Sequence, residues 1–215
     1  MNDTALESGK MVCEDNGRGP AMQTFTGTRF YVMDPRADDV SLIDIAHSLG
    51  HICRYGGHCS FYSVAEHSVL VSHMVPPKDA LVALFHDATE AYAADLTRPL
   101  KRALGTENSY FTYEALIWQA VADKFALPDE LPQSVKEADN AICGLERREL
   151  HPRADEWDIP YPIPELKISG ADPFSAANMF LDRYADITGQ DISQVRLNYA
   201  RLYADSQPGN VYVNA

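Results

Sequence analysis

Positive charge is scarce in this 215-residue chain: 18 lysines and arginines face 31 aspartates and glutamates, a formal net charge of −13 at pH 7. General nucleic-acid binders and membrane-surface binders draw affinity from many phosphate contacts, so neither kind of partner is expected here. A local basic pocket remains compatible with that balance. Cysteine is also sparse. Cys13, Cys53, Cys59 and Cys143 form no CxxC pair, which argues against a disulfide-stapled scaffold and reads as reduced thiols in a cytosol. No apolar run approaches the ~20 residues that span a bilayer, and the N-terminus lacks the basic-then-apolar order of a signal peptide. A cytoplasmic protein is expected. Internal repeats and low-complexity tracts are missing too, so a solenoid is not expected.

What is present is ordinary globular material. A hydrophobic fraction of 46% beside 23% charged residues supports one sizeable core. Residues 1–22 are polar and glycine-rich without apolar periodicity and read as a flexible leader. Residues 23–215 read as a single domain, with a core at about 39–150, a proline-rich excursion at 152–173 and C-terminal helices over 175–205. Within 24–33, TFTGTRFYVM suggests a short hairpin. Helical spacing begins at Asp39, with Asp38 or Asp39 as a cap, and ends at the glycine pair Gly56-Gly57. Further helices are predicted over 63–75, 79–93, a short piece after Thr97, 110–125, 134–150, 175–187 and 192–205. Little strand remains, so the fold class is all-α with a minor N-terminal β-hairpin.

The chemistry gathers around 83–90, ALFHDATE, read as helical. Asp87 and Glu90 are three apart and His86 and Glu90 four apart, so on a helix all three border one pocket among apolar neighbours. Such a polar cluster faces water or has a partner. Four candidate metal ligands lie on three predicted helices: His67, the His86-Asp87 pair and Asp139. Imidazole and carboxylate together suit a divalent Mn, Co, Zn, Ni or Fe ion, and the lack of thiolates argues against a closed structural zinc site. Any one of these residues alone has a bland explanation as a surface group or a satisfied core histidine. Their joint pattern, VAEHS, FHDATE, DLTRPLK and ADN in order, is what points to a site.

Two histidine features compete. His47 and His51 are four apart and could pair on a metal, but no HExxH carboxylate intervenes. His58 follows Gly56-Gly57, where a glycine turn can bring imidazole near an anion, so it is kept as a substrate contact.

The motif set resembles the HD-domain phosphohydrolase superfamily, and YSVAEHS…LFHDATEAYAADLTRPLK resembles bacterial 5′-deoxynucleotidases and phage dATP-type triphosphohydrolases. The likeness runs from about residue 25 to 150. It implies an HD-type helical bundle, with His67, His86, Asp87 and Asp139 as metal ligands. Glu90 is implied to manage the attacking water, Arg54 to hold the substrate phosphate and Asp95 to contact the sugar. Tyr55 stands where the deoxynucleotidases carry Trp, and Lys101 matches a basic position of DLTRPLK. Arg98 and Arg102 add local positive charge. A small-molecule deoxynucleotide is the implied substrate, with Mg an option for a triphosphate, and a homo-oligomer in a bacterial cell or phage-infected host the implied setting. The alternatives are an inactive nucleotide-binding sensor and an HD phosphodiesterase of cyclic nucleotides or alarmones.

Overall fold

A computed structural model describes residues 17–105, 109–153 and 161–208. Most of the leader, with Cys13, and part of the proline-rich excursion therefore fall outside the described residues. The chain opens with an antiparallel hairpin of β1 (Ala21–Gln23) and β2 (Arg29–Tyr31), in which Ala21 pairs with Tyr31 and Gln23 with Arg29. The hairpin thus starts inside the stretch assigned to the leader. In β2 Phe30 and Tyr31 are buried while Arg29 is exposed. The turn is pinned by Asp44, which accepts hydrogen bonds from Thr26 N at 2.7 Å and Thr26 Oγ1 at 2.8 Å.

Helices follow: α1 (Leu42–His51), α2 (Val64–Met74), α3 (Ala80–Leu84), α4 (Glu90–Ala93), α5 (Arg98–Leu104), α6 (Ser109–Phe125), α7 (Gln133–Leu150), α8 (Pro173–Thr188) and α9 (Ser193–Asp205). The described chain is therefore mainly helical with one small sheet. Neither Asp38 nor Asp39 caps α1. They belong to a 3-10 turn, and Ser41 holds the cap position. Asp39 instead pairs with Arg18. In α2 the cap is conventional: Ser63 accepts from Glu66 N at 3.1 Å.

The helix expected over 79–93 is broken. Residues 85–89 form turns, with Ala88 N donating to Phe85 O at 2.8 Å and Glu90 N to Asp87 O at 3.0 Å, both i to i−3 bonds. A tighter winding of this kind inside a helical run marks strain or a functional position, and here it carries His86 and Asp87.

α2 is the central element, packing against α1, α3, α7 and α8, and nine of its residues are buried. Phe30, Ile45, Leu49, Leu84, Phe85, Phe180 and Leu181 form the larger apolar cluster, while Tyr62, Val71, Val82, Ile142 and Leu145 form the smaller. Each fully buried large apolar side chain contributes about 1.5–3 kcal/mol relative to exposure. Gly50 lets α1 approach α8, because a Cβ there would meet Pro173 O at 2.7 Å. The described part of the excursion is strapped to α2: Glu66, nearly fully buried, accepts from Ser169 N at 2.5 Å, Ser169 Oγ at 2.8 Å and Ala171 N at 3.1 Å. Both clusters flank α2 and α3, which holds His67 and His86 in rigid surroundings.

Candidate metal centre

Arg54 closes the segment after α1. Its N–H donates to Tyr62 O at 2.9 Å and Val64 N donates to Ile52 O at 3.0 Å, so the loop between them is tied shut at its base. Inside that loop Tyr55 adopts φ 59°, ψ 26°, a left-handed state that costs a non-glycine residue about 1–3 kcal/mol. The turn presents Arg54 and Tyr55 to the same interior space that α2, the 85–89 turns and α7 reach.

Three donor groups meet there. Ring nitrogens of His67 and His86 and a carboxylate oxygen of Asp87 lie within 4.8 Å of one another. His67 Nε2 is 3.3 Å from His86 Nε2, 3.6 Å from Asp87 Oδ2 and 3.4 Å from Asp139 Oδ1, so the fourth sequence candidate arrives from α7. His86 Nε2 is 3.3 Å from Asp87 Oδ2. The opposite ring nitrogens are both tied down: His86 Nδ1 lies 2.8 Å from Ala83 O, and His67 Nδ1 lies 2.8 Å from Glu146 Oε1. Those acceptors fix a proton on each Nδ1 and turn each Nε2 lone pair toward the same point.

Two lone pairs aimed at each other leave a place for a cation between them. Nitrogens about 2.0–2.1 Å from one zinc-sized ion, at a tetrahedral angle, stand about 3.3–3.4 Å apart, which matches the 3.3 Å separation of these two. The donor set of His67, His86 and Asp87 is thus of a kind that fits a divalent metal, with Asp139 Oδ1 3.4 Å from His67 Nε2.

Without the metal, a proton answers the same field. Burial opposes charge on His86, yet Asp87, Asp139 and the Ala83 carbonyl lift its pKa to about 9. Burial would likewise raise Asp87, but His86, His67 and Arg54 hold it well below the carboxylate range. Asp139 is lowered against its burial chiefly by the hydrogen bond with His67. Glu90 behaves oppositely: burial, then Asp87 and Asp95, push its carboxyl well up. Among the described residues Glu90 Oε2 is buried with no hydrogen-bond partner, and Lys101 Nζ stands 3.8 Å from Oε1.

A cavity of about 630 Å³ opens onto this cluster, lined by Arg54, Tyr55, Asp87, Glu90, Asp95, Lys101 and Asp139 among others. Arg54 Nη1 is 3.6 Å from Asp87 Oδ2. Lys101 shares its charge with Glu114 at 2.9 Å. Arg98 Nη2 donates to Asp139 Oδ2 at 2.7 Å, and Arg102 is exposed on the same rim. His58 is the exception: it lies on the exposed side of the turn and does not line the cavity, because Gly56 and Gly57 carry the chain outward before it. The Cys143 thiol reaches the wall, but burial and then Glu146 raise it to about 11, so it is held protonated and is no nucleophile at neutral pH.

Sequence reasoning missed Glu146. It is fully buried, and besides His67 it accepts from Arg54 Nη2 at 3.2 Å and from the Tyr55 hydroxyl. Arg54 Nε also lies 3.1 Å from Glu146 Oε1, an ionic approach outside hydrogen-bond geometry. Burial would raise the Glu146 carboxyl, yet Arg54 and His67 bring it down to about 2. The available signal was its spacing of seven from Asp139, which places both on one face of α7.

His47 and His51 form no such site. His47 stacks on Phe25 at 3.6 Å between centroids, His51 Nδ1 meets His47 O at 2.7 Å, and no carboxylate is recorded in contact with either ring among the described residues.

No family model matches the chain. It is 40% identical over 172 residues to the uncharacterized protein YfdR of Escherichia coli, covering 78% of this chain and 95% of that protein. It is 33% identical over 139 residues to the uncharacterized protein RCAP_rcc00048 of Rhodobacter capsulatus, covering 58% of this chain and 70% of that protein.

Proposed function

We propose that this chain, which belongs to the family of Escherichia coli YfdR and Rhodobacter capsulatus RCAP_rcc00048, is a metal-dependent phosphohydrolase of deoxynucleotides built on an HD-type helical bundle. The carrying observation is the pair of Nε2 atoms 3.3 Å apart with Asp87 beside them, at the wall of a cavity that also holds Arg54, Lys101 and the buried Glu90. Hydrolysis of a phosphate ester has one of the highest uncatalysed barriers and calls for positioning together with charge neutralisation on the phosphoryl oxygens.

His67, His86, Asp87 and Asp139 are the residues that would hold Mn, Co, Zn, Ni or Fe, with Mg serving a triphosphate. A bound divalent ion supplies Lewis-acid charge to the reacting phosphoryl group and its attacking water. Glu90 orients that water and takes its proton. Its buried Oε2, without a hydrogen-bond partner among the described residues, offers an acceptor for that water. Arg54 presents a planar fork to two phosphate oxygens, and Lys101 adds a point charge farther along the cavity. Tyr55 and Asp95 line the same cavity, and in this reading they contact the sugar or base. Among the described residues no helix is long and apolar enough to cross a membrane. Self-association is part of the same reading, with α6 leaving Leu116 42% exposed.

The test is a product panel. Purified protein loaded with Mn, Co, Zn, Ni or Mg is offered deoxynucleoside mono-, di- and triphosphates and cyclic nucleotides. Orthophosphate from a monophosphate identifies a nucleotidase, and tripolyphosphate from a triphosphate identifies a triphosphohydrolase. Binding without release of either overturns the hydrolase reading in favour of a sensor, and a linear monophosphate from a cyclic substrate overturns it in favour of a phosphodiesterase.

A further inference from the structure

Glu146 links two parts of the site that sequence places far apart. One carboxylate oxygen, Oε1, lies 2.8 Å from His67 Nδ1, and the other, Oε2, accepts from Arg54 Nη2 at 3.2 Å and from the Tyr55 hydroxyl. Residues 54 and 55 sit in a turn before α2, residue 67 sits in α2 and residue 146 in α7, so a single side chain joins three segments.

The carboxylate is fully buried. A buried carboxylate persists when it is paired and fully hydrogen-bonded, and here its partners are a candidate metal ligand and the candidate phosphate fork. A Glu placed only to balance the Arg54 charge would have no need of His67. A Glu placed only to orient His67 would have no need of the Tyr55 hydroxyl, whose residue is held in a left-handed backbone state. The geometry serves both purposes at once.

We propose that Glu146 is the positioning residue of this centre: it fixes the His67 tautomer and ring plane for metal binding, and through the same carboxylate sets Arg54 and Tyr55 at the cavity wall. The inference rests on the metal-centre reading above. Loss of Glu146 therefore weakens metal and phosphate binding together, although it touches neither.

Glu146→Gln is the test. Gln retains an oxygen for His67 Nδ1–H, but its amide nitrogen is a donor and cannot accept from Arg54 or Tyr55. Chelator-stripped wild type and variant are titrated with Co(II) against a chromophoric chelator, visible absorption bands are recorded, and orthophosphate affinity is measured on the Co-loaded proteins. The expected result is cobalt affinity reduced about 10- to 100-fold, the range for mutation of a metal ligand's hydrogen-bond partner, because a neutral amide oxygen holds His67 Nδ1–H more weakly than a carboxylate does, with shifted absorption bands and weaker orthophosphate binding. A folded variant with wild-type affinity, bands and orthophosphate binding overturns the role of Glu146 and leaves the metal reading intact. Failure of wild type to take up cobalt overturns the metal reading and this inference with it. If circular dichroism shows that the Gln variant does not fold, Glu146→Asp replaces it. The shorter carboxylate keeps the buried charge but cannot reach His67 and Arg54 together, so the same losses are expected, and wild-type behaviour overturns the proposal.

Discussion

Two histidine pairs occupy neighbouring parts of the molecule and have opposite surroundings. His67 and His86 face each other at 3.3 Å with Asp87 and Asp139 alongside, and their outer nitrogens are tied to Glu146 and Ala83. His47 and His51 have ring centroids 4.0 Å apart inside a nest of Phe25, Tyr199 and Tyr203. The field around the first pair raises His86 to about 9, whereas burial, then His51, lowers His47 to about 4. Imidazole is common to both. What differs is whether carboxylates stand beside the facing ring nitrogens, as Asp87 and Asp139 do in the first pair.

The largest effect should come from removing a carboxylate of the first pair. Asp87→Ala takes away one donor of the cluster and the main neighbour that supports charge on His86. Metal content by elemental analysis and phosphate release should both fall to background. Retention of either would erase the distinction between the pairs.

Next in size is Glu90→Ala, which leaves all four proposed ligands in place. Metal content should be unchanged while turnover drops by about 10²–10⁴-fold, the usual contribution of a general base. A variant that loses metal as well would make Glu90 part of the ligand set. Arg54→Lys is expected to be milder. It keeps the charge opposite Glu146 and Asp87 but loses the planar fork, so KM should rise about tenfold, the value of one charge-assisted hydrogen bond. Unaltered steady-state kinetics would take Arg54 out of the phosphate site.

The same comparison explains what the residues alone could reveal. His67, His86, Asp87 and Asp139 were legible because their residue types and order are unusual together; the structure gathers ligand atoms of His67, His86 and Asp87 within 4.8 Å of one another and sets Asp139 Oδ1 3.4 Å from His67 Nε2. The broken winding at 85–89 was not legible, since Leu84, Phe85 and Ala88 continue an apolar pattern that a helix would satisfy equally well. What accompanies the turn is partly tertiary and partly local: Phe85 packs against Phe125 and Phe180, and three residues back along the chain His86 Nδ1 holds the Ala83 carbonyl. Glu146 was invisible for a different reason. In sequence it looks like Glu137 or Glu149, which stay near solvent on the same helix, and only the packing of α7 on α2 buries it against His67. The hairpin was recognisable from 24–33, yet its first strand begins at Ala21, because pairing with Tyr31 recruits residues that have little β character of their own.

The smallest effect is expected at the aromatic pair, and it is the sharpest control. His47→Phe keeps a flat ring against Phe25 and removes a titrating group. Metal content and turnover should match wild type, because no carboxylate contact is recorded for that ring among the described residues. The acid side of the stability curve should nevertheless change. A histidine whose folded pKa is depressed to about 4, below the ordinary value of 6.5, takes up its proton more readily when unfolded. Its stabilising contribution is therefore complete above pH 6.5 and is lost as pH falls through 4. The Glu146 carboxyl, depressed from 4.5 to about 2, begins to lose its contribution only below the ordinary glutamate range. Between pH 6.5 and 4.5 the melting temperature of wild type should thus decline more steeply than that of His47→Phe. Equal slopes would mean that His47 is not held neutral, while a change in metal content would mean that the two pairs are not chemically separate.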